Sequence, residues 1–105
     1  MTDTALIEAI AQMERGLIDV DLGGNLFKQR VALPGRGKSS STRTLIATRF
    51  AGVWFFVYGF EKSERDNITA RELALYQRLA RELLGLTEAQ LVTALAGQVL
   101  LEVKL

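Results

Sequence analysis

The chain has 105 residues, 49% hydrophobic and 24% charged, which suits one folded domain spanning residues 1–105. It contains no cysteine and no histidine, so disulfides, thiolate nucleophiles, thiolate metal sites and imidazole acid–base chemistry are excluded. No dense group of Asp and Glu suggests a hard-cation site, and neither a metal nor a cofactor is expected. The net charge of +1 hides an uneven distribution. Lys28, Arg30, Arg36, Lys38, Arg43 and Arg49 fall between residues 24 and 60, a stretch without Asp or Glu, and all 12 acids lie outside it. No apolar run approaches the roughly 20 residues of a membrane span. The first apolar stretch is interrupted by Glu8, Gln12 and Glu14, unlike a signal peptide. A soluble cytoplasmic protein with no membrane partner is expected.

Taken in order, residues 5–15 read as a helix, with Thr4 as its cap, Leu6, Ile7, Ile10 and Met13 on its apolar face, and Gly16 as its left-handed end. Residues 17–22 fit either a short second helix or a linker, closed by Gly23-Gly24. Residues 25–33 read as a strand that places Lys28 and Arg30 on one face and Phe27, Val31 and Leu33 on the other, toward the core. Pro34 to Ser41 is a loop by composition. Residues 42–50 alternate weakly and form a second strand, with Arg43 and Arg49 at one parity. Ala51-Gly52 turns the chain into a third strand, 53–60, whose apolar residues occupy both parities, as in a central strand covered on both sides.

A charged loop, 61–67, leads to a helix with a clear start. Thr69 and Glu72 form a capping box, and Ile68 can staple to Leu73. Leu73, Tyr76, Leu79, Ala80, Leu83 and Leu84 make its buried stripe, and Gly85 ends it. The signal then repeats, with Thr87 and Gln90 as the box and Leu86 and Leu91 as the staple, for a shorter helix closed by Gly97. Residues 98–105 alternate and read as a final strand, with Val99, Leu101, Val103 and Leu105 on one side. The expected class is α+β: a small antiparallel β-meander with helices packed on it.

Two candidate sites emerge from the residues. Ala32 to Ser39 nearly spells a phosphate loop, but a strand rather than a helix follows Lys38 and no acid-tipped strand is present for magnesium, so the match is a coincidence. The second is a nucleic-acid backbone site. In a meander, Arg30, Arg43, Lys62 and Arg65 converge at one end of the sheet, beside Arg36 and Lys38. Such a cluster attracts phosphate and weakens with salt. Two readings of it stand side by side: a phosphate site, or cations that only keep a sheet edge solvated. Trp54, Phe55, Phe56 and Tyr58 read as core rather than as base-stacking residues.

Three stretches in order, Leu22-Gly-Gly-Asn-Leu-Phe-Lys-Gln-Arg-Val-Ala32, Gly35-Arg-Gly-Lys-Ser-Ser-Ser-Thr-Arg-Thr44 and Val57-Tyr-Gly-Phe-Glu-Lys-Ser-Glu-Arg-Asp-Asn-Ile68, resemble the RelE/ParE superfamily. The closest branch is that of the RelE-type toxins of bacterial type II toxin–antitoxin modules. The resemblance implies a RelE-like fold and a metal-independent endoribonuclease that cuts mRNA, usually on the ribosome, and so inhibits translation. It also implies a cognate antitoxin as partner, usually of helix-turn-helix type. By motif, Lys28 and Arg30 match the basic pair on the first strand, Lys38 and Arg43 the ends of the Lys-to-Arg segment, and Lys62 and Arg65 the basic residues after the third strand; Lys28, Lys38 and Arg43 are the expected catalytic residues, and Arg30, Arg36, Lys62 and Arg65 the expected RNA-binding ones. In this chemistry a deprotonated 2′-hydroxyl attacks the adjacent phosphate, and clustered cations stabilise the charge that develops. Clustered charge also favours a neutral lysine among its members, which suits a lysine as base; Lys28 or Lys38 is the expected base, with Arg43 on the phosphate. Two departures from the family pattern are visible. The family's Lys-Ser-Gly-Gly-aromatic-Arg is here Lys38-Ser-Ser-Ser-Thr-Arg43, and no Tyr follows Tyr76, whereas some members use a late Tyr as general acid. The alternative reading is a non-catalytic module on the same fold, either a ParE-like gyrase poison or an inactive toxin that keeps only its antitoxin.

Overall fold

A computed structural model of the chain describes residues 3–31, 42–61 and 67–103. The elements run α1 (Asp3–Glu14), β1 (Val20–Gly23), β2 (Leu26–Val31), β3 (Thr42–Ala47), β4 (Phe55–Glu61), α2 (Ala70–Leu84) and α3 (Glu88–Ala96). The four strands form one antiparallel sheet in the order β1-β2-β3-β4. The expected meander is present, with one more strand at its start than the sequence suggested. Residues 17–22, read as a short helix or linker, include β1, which pairs with β2 at Val20↔Lys28 and Asp21↔Phe27. The turn between β1 and β2 uses Gly23, Gly24 and Asn25, all at positive φ. Glycine takes that conformation freely and asparagine takes it more readily than most residues.

The sheet is covered on both faces. Leu26, Leu45, Ala47 and Phe55 face α2 and form a buried cluster with Ala80, against which Leu73, Tyr76, Leu83, Leu84 and Leu91 pack. Phe27 and Ile46 face α1 and are buried with Met13, flanked by Ile18, Trp54 and Phe56. This two-sided burial accounts for the apolar residues at both parities of β4. The expectation of a central strand there is nevertheless wrong: β4 is an edge strand, and it begins at Phe55 rather than Val53. The assignment of β2's second face also needs correction. Phe27 and Val31 do point to a core, but so does Leu26, which shares a face with Lys28 and Arg30.

α2 and α3 start as the sequence dictated. Thr69 accepts from the Glu72 N–H at 3.1 Å while the Glu72 side chain accepts from the Thr69 N–H at 2.8 Å. Thr87 and Gln90 repeat the arrangement. α1 begins at Asp3, so Thr4 lies within the helix rather than capping it. Gly16 sits at φ +85° just after α1, as expected of a left-handed helix end.

The final strand expected over residues 98–105 does not form in its described part. Val99 and Leu101 are 80% and 81% exposed. The N–H groups of Val99 and Leu100 both turn back to the Ala94 carbonyl, at 2.9 and 3.2 Å. Gln98, at φ +58°, makes that reversal. Backbone donors committed to the end of α3 are not available to a ladder.

Three hydrogen bonds fix α2 over the sheet. Lys28 Nζ donates to Asn67 Oδ1 just before the helix, at 3.2 Å. Gln77 Nε2 donates to the Leu22 carbonyl at 2.9 Å, and Arg49 Nη1 to the Leu84 carbonyl at the helix end, at 3.0 Å. Replacing Leu45, which is fully buried, with Ala is expected to destabilise the fold by ~2–5 kcal/mol. Thr69→Ala, which removes only a cap, should cost ~1 kcal/mol. Urea unfolding of both variants checks that ordering.

Candidate functional site

The basic residues of β2 and β3 are placed by strand register. In this antiparallel pair Arg30 lies directly opposite Arg43, and Lys28 opposite Leu45. Directly opposed side chains point to the same side of a sheet. Lys28, Arg30 and Arg43 therefore occupy one face, the α2 face, with Lys28 diagonal to Arg43 and so within reach of long side chains. The register continues into β4, where Phe60 opposes Arg43 and Tyr58 opposes Leu45. Along that face the rows run from fully apolar (Leu26, Ala47, Phe55), through mixed (Lys28, Leu45, Tyr58), to basic (Arg30, Arg43, Phe60). α2 covers the apolar end, and its start meets the middle row through the Lys28–Asn67 bond.

Two arginines directly across a ladder repel, at a cost of roughly 0.2–1 kcal/mol. Asp19 offsets part of this. Its Oδ2 lies 3.5 Å from Arg30 Nε and accepts the Arg30 backbone N–H at 2.7 Å. The side chain thus takes a backbone donor on the edge of β2, just past the last β1–β2 pair. Gln29, 2% exposed, fixes the segment that carries Asp19. Its Nε2 donates to the Leu17 carbonyl at 2.8 Å and its Oε1 accepts from the Asp19 N–H at 3.0 Å. An open groove lined by Gln12, Leu17, Ile18, Asp19, Gln29 and Arg30 runs along this edge, so Arg30 borders both the groove and the basic face. The Arg30 side chain stays 54% exposed despite its acidic neighbour. Arg43 is half-buried and is itself engaged by neighbours in the fold.

The remaining expected site residues, Arg36, Lys38, Lys62 and Arg65, lie outside the described residues. Their points of attachment are described. Val31 and Thr42, which bracket residues 32–41, pair with each other, and Thr42 also pairs with Glu61, which precedes Lys62. Arg49 serves a different end: it caps the last turn of α2 and takes no place in the basic row. Tyr58 and Tyr76 stack with ring centroids 5.4 Å apart, and Tyr58 also stacks on Phe60 at 6.0 Å. Both tyrosines therefore pack, as the sequence suggested. Among the described residues no group of His, Cys, Asp or Glu could hold a metal ion.

Sequence reasoning missed Asp19, Gln29 and Asn67. Asp19 sat in a segment without a clear periodicity, and Gln29 was simply an uncharged residue between two cations. Asn67 was visible only as part of a motif, with nothing local to connect it to Lys28, 39 residues away.

The sequence model of one family, described as RelE toxin of RelE / RelB toxin-antitoxin system, matches residues 1–103. The chain belongs to the RelE toxin family. Its four-stranded antiparallel sheet with three helices agrees with that membership. As a RelE-family toxin it is one half of a toxin–antitoxin system and pairs with an antitoxin. Comparison with curated proteins and with solved structures gave no match. Among the described residues of this toxin no helix is long and apolar enough to cross a membrane.

Asp19→Asn keeps an acceptor for the Arg30 N–H and removes a part-exposed ion pair, so it should cost the toxin less than ~1 kcal/mol. Asp19→Ala also removes the acceptor of this exposed bond and should cost ~0.5–1.5 kcal/mol. Denaturant titrations of the two variants separate these contributions, and equal losses would mean that the backbone bond contributes nothing.

Proposed function

We propose that this toxin is a metal-independent endoribonuclease that cuts mRNA, in the decoding site of the ribosome, and thereby stops translation. The observation that carries the reading is the register of β2 on β3, which gathers Lys28, Arg30 and Arg43 on neighbouring positions of one face. A like-charge pair across a ladder works against folding, and an RNA phosphate relieves it. Family membership and the absence of His and Cys point the same way, since the reaction must run on cations.

In the proposed reaction the RNA 2′-oxygen bonds to the adjacent phosphorus and the bond from phosphorus to the 5′-oxygen breaks. The products are a 2′,3′-cyclic phosphate and a free 5′-hydroxyl. Arg43 holds the phosphate, where a guanidinium matches two oxygens at once. Lys28, whose Nζ already donates to Asn67, adds charge beside it. The proton of the 2′-hydroxyl goes to Lys38, and the departing 5′-oxygen takes one from water. Arg30, Arg36, Lys62 and Arg65 hold the flanking backbone. The cognate antitoxin, a protein of helix-turn-helix type on this reading, silences the toxin in the bacterial cytoplasm.

Arg43→Ala and Lys28→Ala should each lower mRNA cleavage by ~100- to 1,000-fold in a translating bacterial extract, while the far-ultraviolet circular dichroism stays that of the wild type. Arg43→Lys should not restore the rate, because a point charge does not replace a bidentate fork. Intact mRNA together with inhibited DNA supercoiling would overturn the nuclease reading in favour of a gyrase poison.

A further inference from the structure

We infer that Asn67 is a positioning residue for Lys28, and that its neutrality keeps the charge of Lys28 available to an RNA phosphate. The inference rests on the RNA-binding reading of the basic face given above.

Asn67 Oδ1 accepts from Lys28 Nζ at 3.2 Å and from the Ile68 N–H at 2.9 Å. The first bond ties the middle of β2 to the entrance of α2; the second holds the amide in place from its own backbone. The position of Asn67 follows from that of α2, which Gln77 and Arg49 also tether to the rest of the fold. Lys28 is half-buried, so its stem is partly fixed by packing and its terminal nitrogen by Asn67. An ammonium carries three donors. Among the described residues Asn67 takes one of them, and the others can turn toward a ligand.

The choice of amide over carboxylate is informative. Asn67 stands two residues before the Thr69 cap, at the positive end of α2. A carboxylate there is favoured by the helix dipole and accepts the Ile68 N–H equally well. Stability considered alone therefore does not require an amide at this position. An Asp, however, would form an ion pair with Lys28 and cancel the charge that the basic row gains from it. Asparagine gives the same acceptor without the charge. The basic face already contains one neutralising contact, Asp19 on Arg30.

The test uses the full-length toxin as wild type, Asn67→Asp, Lys28→Gln and the double variant. Binding of a fluorescently labelled single-stranded oligoribonucleotide is measured by anisotropy across a salt series, and thermal unfolding is recorded for each protein. Asn67→Asp should unfold at the wild-type temperature or above it and bind RNA roughly tenfold more weakly. The slope of log affinity against log salt should become shallower by about one phosphate contact. In the Lys28→Gln background, Asn67→Asp should cause little further loss, since its effect passes through Lys28. Wild-type binding by Asn67→Asp, a fall in unfolding temperature that accompanies the loss of binding, or additive losses in the double variant would each overturn the inference. If Lys28→Gln itself binds as tightly as the wild type, the RNA-binding reading of the face fails first, and the inference with it.

Discussion

Between β2 and β3 the chain sets Arg30 against Arg43 and Lys28 against Leu45. Most of what distinguishes this protein depends on that alignment. A slip of one residue would turn Lys28, Arg30 and Leu26 to the α1 side and bring Phe27 and Gln29 to the α2 side. The register is held by burial at its apolar end. Leu26 and Leu45 on one face, and Ile46 on the other, are fully buried, each worth ~1.5–3 kcal/mol relative to exposure. The cations at the other end are thus placed by hydrophobic residues two and four positions away. Their mutual repulsion is small beside the energy that fixes them.

The helices extend the same logic. α2 buries its stripe on the apolar end of the sheet, on the same face that carries Lys28, Arg30 and Arg43. Its connections to Lys28, Leu22 and Arg49 lie at its start, its middle and its end, which leaves the helix little room to slide. Arg49 shows how a cation of the acid-free stretch can serve structure instead of binding. It reaches the Leu84 carbonyl, where the helix dipole favours positive charge. Charge patterning in a sequence therefore marks a set of candidates, and the fold sends Arg49 to a helix end and Lys28, Arg30 and Arg43 to one face of the sheet.

This RelE-family toxin has neither imidazole nor thiolate side chains, and its cations on β2 and β3 share one face of the sheet. Charge is concentrated by placing cations across a ladder, at some cost to the sheet, and part of the cost is offset by Asp19. Asp19 reaches Arg30 mainly through the backbone N–H, at 2.7 Å against 3.5 Å for the guanidinium. The side chain of Arg30 consequently keeps much of its exposure. A contact that serves the fold need not remove a charge from the surface.

Local signals were legible wherever a residue acts on its own neighbours. The capping boxes at Thr69–Glu72 and Thr87–Gln90, the left-handed Gly16, the alternation of β2 and the acid-free stretch 24–60 could all be read directly, because caps, turns and parity depend on a few adjacent residues. So could the α+β class and the family, from three ordered stretches. Pairing across the chain could not be read. Whether 20–23 or 98–105 would supply the fourth strand was decided by competition for backbone donors: Val20 and Asp21 met β2, while Val99 and Leu100 returned to Ala94. The partners of the cations were hidden for the same reason. Arg30 is 11 residues from Asp19 and Lys28 is 39 from Asn67, and only packing brings such distant groups within hydrogen-bond reach.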